Sequence, residues 1–297
     1  MSIDGVGNGA GLEVVDCPVC GPAPSTVWMD EGKPTRYVRC RTCGTVYASP
    51  RASHAVRYAW LDQTFGLGAN AVANAMGRRP ALAQEAALIQ NHVREGRMLD
   101  IGCDLGDLFE WFAGPAWQRY GVEISPSAAR YAAETFAAQV FTGTVHEAAF
   151  PNASFDVVTM IDMLYYVEDP RADLQEVARI LKPGGLVAIE ITGQSYQLRR
   201  SRGLLCWLLD HRWTRLYTDS SYLFWFGPEG LQRLLQVCGF EIVADHVIGS
   251  PVSSRSWRNH LAAGYCGLIS GASRLSRRWL GWAPKHLVLA RKMSTAP

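Results

Sequence analysis

Apolar and polar positions recur with two different periods along this 297-residue chain, and the switches between them lay out the fold. Continuous or alternating apolar runs at 98–101, 120–124, 155–161 and 186–191 predict strands. Between them, apolar residues at three- and four-residue spacing predict helices over 105–112, 128–136 and 171–181. Ser125-Pro126 supplies a capping serine and a proline at the first helical position. Lys182-Pro-Gly-Gly185 stops the helix before it. A further helix is predicted over 228–237, with Gly239 where a C-cap would lie, and final strands over 241–247 and 286–290. Strand–helix alternation of this kind predicts an α/β architecture, a doubly wound, mostly parallel sheet covered on both faces. Upstream, Leu82, Ala86, Ile89 and Val93 share one face of a helix predicted over 81–95. Residues 51–80 have no sharp pattern, 17–50 are short and turn-rich, and 1–16 form a Gly-rich lead-in.

Composition changes this picture little. An apolar share of 48% and a charged share of 19% fit a globular core. No run reaches the roughly 18–20 apolar residues that span a bilayer, and 1–16 lack the basic and apolar regions of a signal peptide. The expected location is the cytoplasm. The net charge of +2 hides a division. Residues 251–297 carry eight Lys/Arg and no acid, 198–216 carry five Arg and one Asp, and the remainder is acidic. Two basic, Trp-containing segments on an acidic body point to an anionic partner or surface, or to ordinary arginine-bearing helix faces.

Three features carry candidate chemistry. The first is Leu99-Asp-Ile-Gly-Cys-Asp-Leu-Gly106, joining a predicted strand to a predicted helix. Glycines at 102 and 106 allow a tight turn and close approach to a ligand, and the turn offers free N–H groups. Seventeen residues on, Glu123 ends the next strand, where a carboxylate can accept from both ribose hydroxyls of a nucleoside. The second is Cys17-Pro-Val-Cys20 with Cys40-Arg-Thr-Cys43, nineteen residues apart. Two such loops can close a tetrahedral four-thiolate Zn(II) site, structural because it leaves no open position; reduced buried cysteines or a redox pair would show the same spacing. The third is a pair of insertions. Residues 193–226 hold Trp207, Trp213, Tyr217, Tyr222, Phe224, Trp225 and Phe226, fit either to shape a pocket or to pack a lid. Residues 261–280 form an amphipathic stripe of Leu261, Tyr265, Leu268, Ile269, Ala272, Leu275 and Trp279 opposite Arg274, Arg277 and Arg278. It suits packing on its own domain or a second copy, or peripheral contact with an anionic membrane.

The chain resembles the class I S-adenosylmethionine-dependent methyltransferases. The resemblance is carried by the 99–106 loop, Gly121-Val-Glu-Ile-Ser125, Ser154-Phe-Asp-Val-Val158, the segment from Asp162 to Pro170, and Leu181-Lys-Pro-Gly-Gly185. The segment from Phe226 to Phe240 is similar to the family's late helix and turn. The resemblance implies a seven-stranded Rossmann-like sheet over 97–297 with insertions at 193–226 and 250–284. It would be preceded by a helical linker or cap at 51–96 and by the ribbon at 1–50. It implies S-adenosylmethionine as cofactor. Asp100 and the loop Gly102, Cys103, Asp104 and Gly106 would hold the methionine end, and Glu123 the ribose. Ile124, Thr144 and Val145 would lie near the adenine, and Asp162 and Met163 would line the methionine side. Asp104 stands where the family's loop has its middle glycine, and Thr144 where many members have an acid. Tyr166 stands where the family often has a histidine. Tyr165 and Tyr166 are then the first candidates to line the methyl-transfer site, His146 the second, and His211 and His246 the third. The implied acceptor is a small molecule methylated on oxygen: a sugar, a glycolipid or another specialised metabolite, of anionic or lipid-linked kind if the basic segments engage it. RNA methylation is the alternative enzyme reading, opposed by a net charge near zero. A non-catalytic partner-binding module is the third.

Overall fold

Buried, almost uninterrupted apolar strands build the centre of the computed structural model, which describes residues 12–30, 35–53, 71–200, 222–248 and 285–294. The central strand β9 (Phe155–Ile161) is buried at six of its seven positions, as a parallel strand covered on both faces must be. Its neighbours are β6 (Gly96–Ile101) and β10 (Leu181–Thr192). Beyond β6 lie β7 (Trp117–Glu123) and β8 (Gln139–Thr142); beyond β10 lie β13 (Lys285–Lys292) and β12 (Phe240–Ile248). The seven-stranded order is β12-β13-β10-β9-β6-β7-β8. β6 to β10 pair in parallel, and β13 runs antiparallel to both its neighbours. The chain moves outward from β6 to β8, then returns across β6 to β9. That reversal opens a crevice at the C-terminal ends of β6 and β9, the place where open α/β sheets bind ligands.

The helices are α1 (Ala71–Gln90), α2 (Pro126–Phe136), α3 (Pro170–Ile180), α4 (Gln194–Arg200) and α5 (Pro228–Val237). One face of the sheet packs Leu82, Ala86 and Ile89 of α1 against Leu186, Ala188, Leu287 and Leu289. The other packs Leu174 and Val177 of α3 and Leu231, Leu234 and Leu235 of α5 against Val158, Val187 and Ile189. Asp169 caps α3 by accepting from the backbone N–H groups of Arg171 and Ala172.

Three local expectations change. The helix expected over 105–112 is a single 3₁₀ turn at Asp107–Glu110, with Phe109 and Phe112 bonding back three residues. Gly114-Pro115 cuts the segment too short for an α-helix to propagate. Ser125 occupies the N-cap position of α2, but its hydroxyl pairs with Ser127 instead of capping. α1 starts ten residues before the expected 81 and ends at Gln90, with Pro80 inside it.

The ribbon forms its own sheet from β2 (Ser25–Met29), β3 (Tyr37–Cys40) and β4 (Val46–Ala48), and takes a fourth strand, β11 (Phe224–Trp225), from the 193–226 insertion. The short strands β1 (Leu12–Glu13) and β5 (Arg51–Ala52) pair beside it. Trp225 stacks on Tyr37 at 4.4 Å and meets Trp28 edge-on at 5.7 Å. Gln194 donates through Nε2 to the carbonyls of Gly44 (2.9 Å) and Trp225 (2.8 Å). Gly230 in α5 leaves room for Thr45, whose Oγ1 any Cβ there would strike. Phe224, Trp225 and Phe226 therefore seat the ribbon on the sheet. Trp207, Trp213, Tyr217, His211 and the 261–280 stripe lie outside the described residues. Among the described residues no helix is long and apolar enough to cross a membrane.

Candidate functional site

The strand ends at the crevice turn by way of left-handed residues. Gly102 (φ 72°), Asp104 (φ 49°) and Gly106 (φ 78°) follow β6, and Asp162 (φ 60°) follows β9. Gly106 has a packing reason as well: a Cβ there would lie 2.8 Å from the Ala132 Cβ of α2. The loop these residues build faces a cleft of about 400 Å³. Eight residues from the sequence-derived cofactor set line it: Gly102, Asp104, Glu123, Ile124, Thr144, Val145, Asp162 and Met163. His146 and Tyr166 line it too. Asp100, Cys103, Gly106 and Tyr165 stand behind its walls, outside that lining. Asp100 is buried and accepts from the Thr159 hydroxyl at 2.6 Å; Cys103 is buried with its Sγ beneath Gly121. His246 sits on β12, away from the cleft.

Glu123 is held by its neighbours' backbone. Oε2 accepts from the Asp104 N–H at 2.9 Å and Oε1 from the Ser125 N–H at 2.8 Å. Each oxygen keeps a second lone pair, so the carboxylate is fixed in direction while still able to accept two more bonds. Burial pushes its pKa up, and the backbone donors oppose that shift. Burial also lifts Asp100 to about 7, against the Thr159 hydrogen bond.

A buried ion cluster forms the floor at the β9 end. Lys285, the first residue of β13, reaches Asp162 Oδ2 at 2.7 Å and Glu190 Oε1 at 2.8 Å. Arg78 of α1 lies 3.6 Å from Glu190 Oε2 and 3.9 Å from Asp162 Oδ2, and it lines the cleft. Burial alone would raise Asp162, but Lys285 and Arg78 outweigh it and hold its pKa below the usual carboxylate value. Lys285 moves up despite burial because two carboxylates face it. Glu85, buried on α1, is pushed up to about 9 by burial and by the charge of Glu190, so it keeps its proton at neutral pH. None of Arg78, Glu85, Glu190 and Lys285 is among the sequence candidates. The available signals were a glutamate inside the apolar strand 186–191 and another on the apolar stripe of α1, since buried charge demands a partner.

The tyrosines form a wall. Tyr165 and Tyr166 lie 4.7 Å apart, and Tyr222 lies 4.4 Å from Tyr165 and 5.6 Å from Tyr166. The Tyr165 hydroxyl donates to Asp162 Oδ1. Burial holds Tyr165 and Tyr166 well above the ordinary phenol pKa, so both stay protonated. Tyr222 is tied to the ribbon: its carbonyl accepts from the Tyr37 hydroxyl at 2.5 Å, and Leu223 N–H donates to the Tyr165 carbonyl at 2.8 Å. On the far side, His146 Nε2 lies 2.8 Å from Asp173 Oδ1 of α3.

Away from the cleft, Cys17, Cys20, Cys40 and Cys43 converge. Their four sulfurs all lie within 4.8 Å of one another, Cys17 and Cys43 at 3.6 Å. The Cys17 thiol beside it draws Cys43 down to about 4, favouring its thiolate.

A family model described as a methyltransferase domain matches residues 76–245. A ubiquinone biosynthesis O-methyltransferase of Bradyrhizobium sp. (strain ORS 278) is 34% identical over 144 residues, covering 42% of this chain and 53% of that protein. An uncharacterized protein of Methanocaldococcus jannaschii is 26% identical over 163 residues, covering 53% and 70%. The chain spans about half the length of the first of these curated relatives. Among solved structures, a SAM-dependent methyltransferase of Thermotoga maritima superposes with a TM-score of 0.52 at 19% identity, over 80% of this chain and 99% of that one. The phosphoethanolamine N-methyltransferase 2 of Haemonchus contortus, in complex with S-adenosyl-L-methionine, gives 0.54 at 19% identity, over 84% and 63%. At these identities the two structures speak for the fold.

Proposed function

The chain belongs to the methyltransferase-domain family and has the class I S-adenosylmethionine-dependent fold, and on that premise we propose that it methylates an oxygen of a small-molecule acceptor. The observation that carries the reading is the Glu123 carboxylate, pre-aimed by two backbone N–H groups at the edge of a cleft of about 400 Å³. That volume lies within the roughly 300–1,000 Å³ of small-molecule sites. Glycines where the loop bends, and lone pairs free on Glu123, fit a nucleoside whose ribose hydroxyls donate. Ile124 and Val145 offer an apolar wall for a purine. Arg78 is the one lysine or arginine in the described lining of a cleft that also carries Asp104, Glu123, Asp162, Glu168, Asp169 and Asp173. It suits the carboxylate of an amino-acid moiety, and Asp104 suits the ammonium. Direction of transfer to oxygen is supported by the O-methyltransferase relatives at 34% identity.

S-adenosylmethionine, when bound, supplies a methyl group already activated on a sulfonium centre. The protein's part is then proximity, orientation and exclusion of water. Asp162, locked between Lys285 and Tyr165, keeps the β9 end rigid. Tyr166 shields that end with a neutral phenol. An oxygen acceptor also needs its proton removed; His146, paired with Asp173, is the one histidine in the described lining of the cleft. Tyr166, kept protonated by burial, serves as a wall, and Tyr165 backs it.

The ribbon, in the same reading, holds one structural Zn(II). Four thiolates at about 2.3 Å from a tetrahedral zinc lie roughly 3.8 Å from one another, which matches the cysteine cluster with its 3.6 Å contact.

Calorimetric titration with S-adenosylhomocysteine tests the assignment. Wild-type protein is expected to bind one equivalent, and Glu123→Ala to bind about 100-fold more weakly, near 2.7 kcal/mol for two lost charged hydrogen bonds. Equal affinity in the two proteins would remove Glu123 from the site.

A further inference from the structure

The cofactor cleft, at about 400 Å³, has room for one nucleoside-sized ligand, so an acceptor needs space of its own. A second cavity, of about 320 Å³, lies on the other face of the sheet from α1. It opens where β10 ends at Ile191 and Gly193, beneath the first turns of α5. β9 and β10 are hydrogen-bonded neighbours, with Glu190 opposite Ile161. The Asp162 end of the cofactor cleft and the Ile191 end of the second cavity therefore sit on neighbouring strands, whose axes run about 4.8 Å apart.

Strand alternation decides what faces the cavity. Lys285 and Glu190 point to the α1 side. His286, one residue on, and its partner Ile191 point to the α5 side. His286 is 3% exposed. Its Nδ1 lies 3.1 Å from Asp245 Oδ1 on the neighbouring strand β12, and both residues line the cavity. With Nδ1–H donating to Asp245 Oδ1, the neutral ring has Nε2 as an acceptor. This nitrogen is buried and has no hydrogen-bond partner among the described residues. An orphaned buried acceptor at a cavity wall is a cost unless a ligand donor meets it. The rest of the wall includes Phe226, Leu231, Ile242 and Val288. Gln194 and Gln232 add polar groups at other points of the wall. A neutral molecule with an apolar body and one hydroxyl fits; the Asp245 carboxylate disfavours an anion.

We propose that this second cavity is the acceptor pocket and that His286 Nε2 binds a hydroxyl of a neutral, largely apolar alcohol or phenol there. The proposal rests on the methyltransferase reading and names the acceptor class for it. Phenol and 1-hexanol are the probes, added to full-length, metal-loaded protein saturated with S-adenosylhomocysteine and labelled at histidine Cε1. One histidine resonance, absent from His286→Gln, is expected to move saturably with at least one probe. Leu231→Trp, which fills the cavity and keeps the histidine, is expected to weaken that binding about tenfold or more while leaving S-adenosylhomocysteine affinity unchanged. If neither probe moves the His286 resonance, or if Leu231→Trp leaves the titration as it was, the pocket is not the acceptor site. Loss of S-adenosylhomocysteine binding in the wild type would instead strike the methyltransferase reading itself.

Discussion

The two halves of the sheet solve different problems. On the β6–β7–β8 side, the proposed nucleoside cradle comes from residues close together in sequence: a glycine loop, then Glu123, then Thr144 and Val145. Its polar groups are satisfied by adjacent backbone, as when Asp104 and Ser125 aim Glu123. On the β10–β13–β12 side, everything is assembled across long separations. Arg78 meets Glu190 and Asp162, Lys285 bridges both acids, and Tyr37 of the ribbon holds Tyr222. The lesson is that the side proposed to cradle the cofactor is a local device and the side proposed to meet the acceptor a tertiary one. The second should therefore be far more sensitive to changes in distant parts of the chain.

The largest expected effect falls on the ribbon. Structural zinc sites contribute on the order of 10 kcal/mol to folding of their domains. Metal analysis is expected to give one zinc per chain for the wild type and none for Cys43→Ser. The substitution should also strip hydrogen-exchange protection from β2, β3, β4 and β11 while β6 and β7 stay protected. Simultaneous loss in both regions would contradict the division. Next comes the ion cluster. Lys285→Met leaves Asp162 and Glu190 buried with only Arg78 between them, and should cost about 3–5 kcal/mol in denaturant unfolding. A near-neutral result would mean that water reaches these acids. Smaller still is the loss of Glu123, near 2.7 kcal/mol in cofactor-product affinity, with little effect on the stability of the ligand-free protein. The last is a slope, small at any one pH step. Glu85 has its folded pKa raised from 4.5 to about 9. The folded state keeps a proton the unfolded chain has already lost, so this contribution is full below about pH 4.5 and declines as pH rises toward 9. The decline is at most about 1.4 kcal/mol per pH unit. Glu85→Gln should flatten stability against pH across that window, and an unchanged slope would show Glu85 ionised in the fold.

Legibility in the sequence followed the same division. Six of the seven strands of the main sheet, all but β8, together with α2, α3, α5 and the four cysteines could be read because period, capping positions and spacing are local signals. The crevice could be read because Gly102, Gly106 and Glu123 report backbone turns and a strand end. The partners of Glu190 could not: that strand announces a buried charge, but only folding brings Lys285, ninety-five residues on, beside it. Trp225 and Phe226 could be seen as aromatic without showing that they fasten a ribbon, because their partner Tyr37 lies in a different domain of the sequence reading. His286 lay inside a predicted strand with no mark of the cavity it faces, since Asp245 and the α5 residues reach it only across the sheet.

The central claim, that the cleft is a cofactor site built by Glu123 and Arg78, is tested most directly by a crystal structure of the protein with S-adenosylhomocysteine. The account predicts both ribose hydroxyls within hydrogen-bond distance of Glu123, with Asp104 and Ser125 N–H groups still holding it, and the amino-acid carboxylate against Arg78. A ligand seated elsewhere, or a ribose that leaves Glu123 untouched, would contradict it.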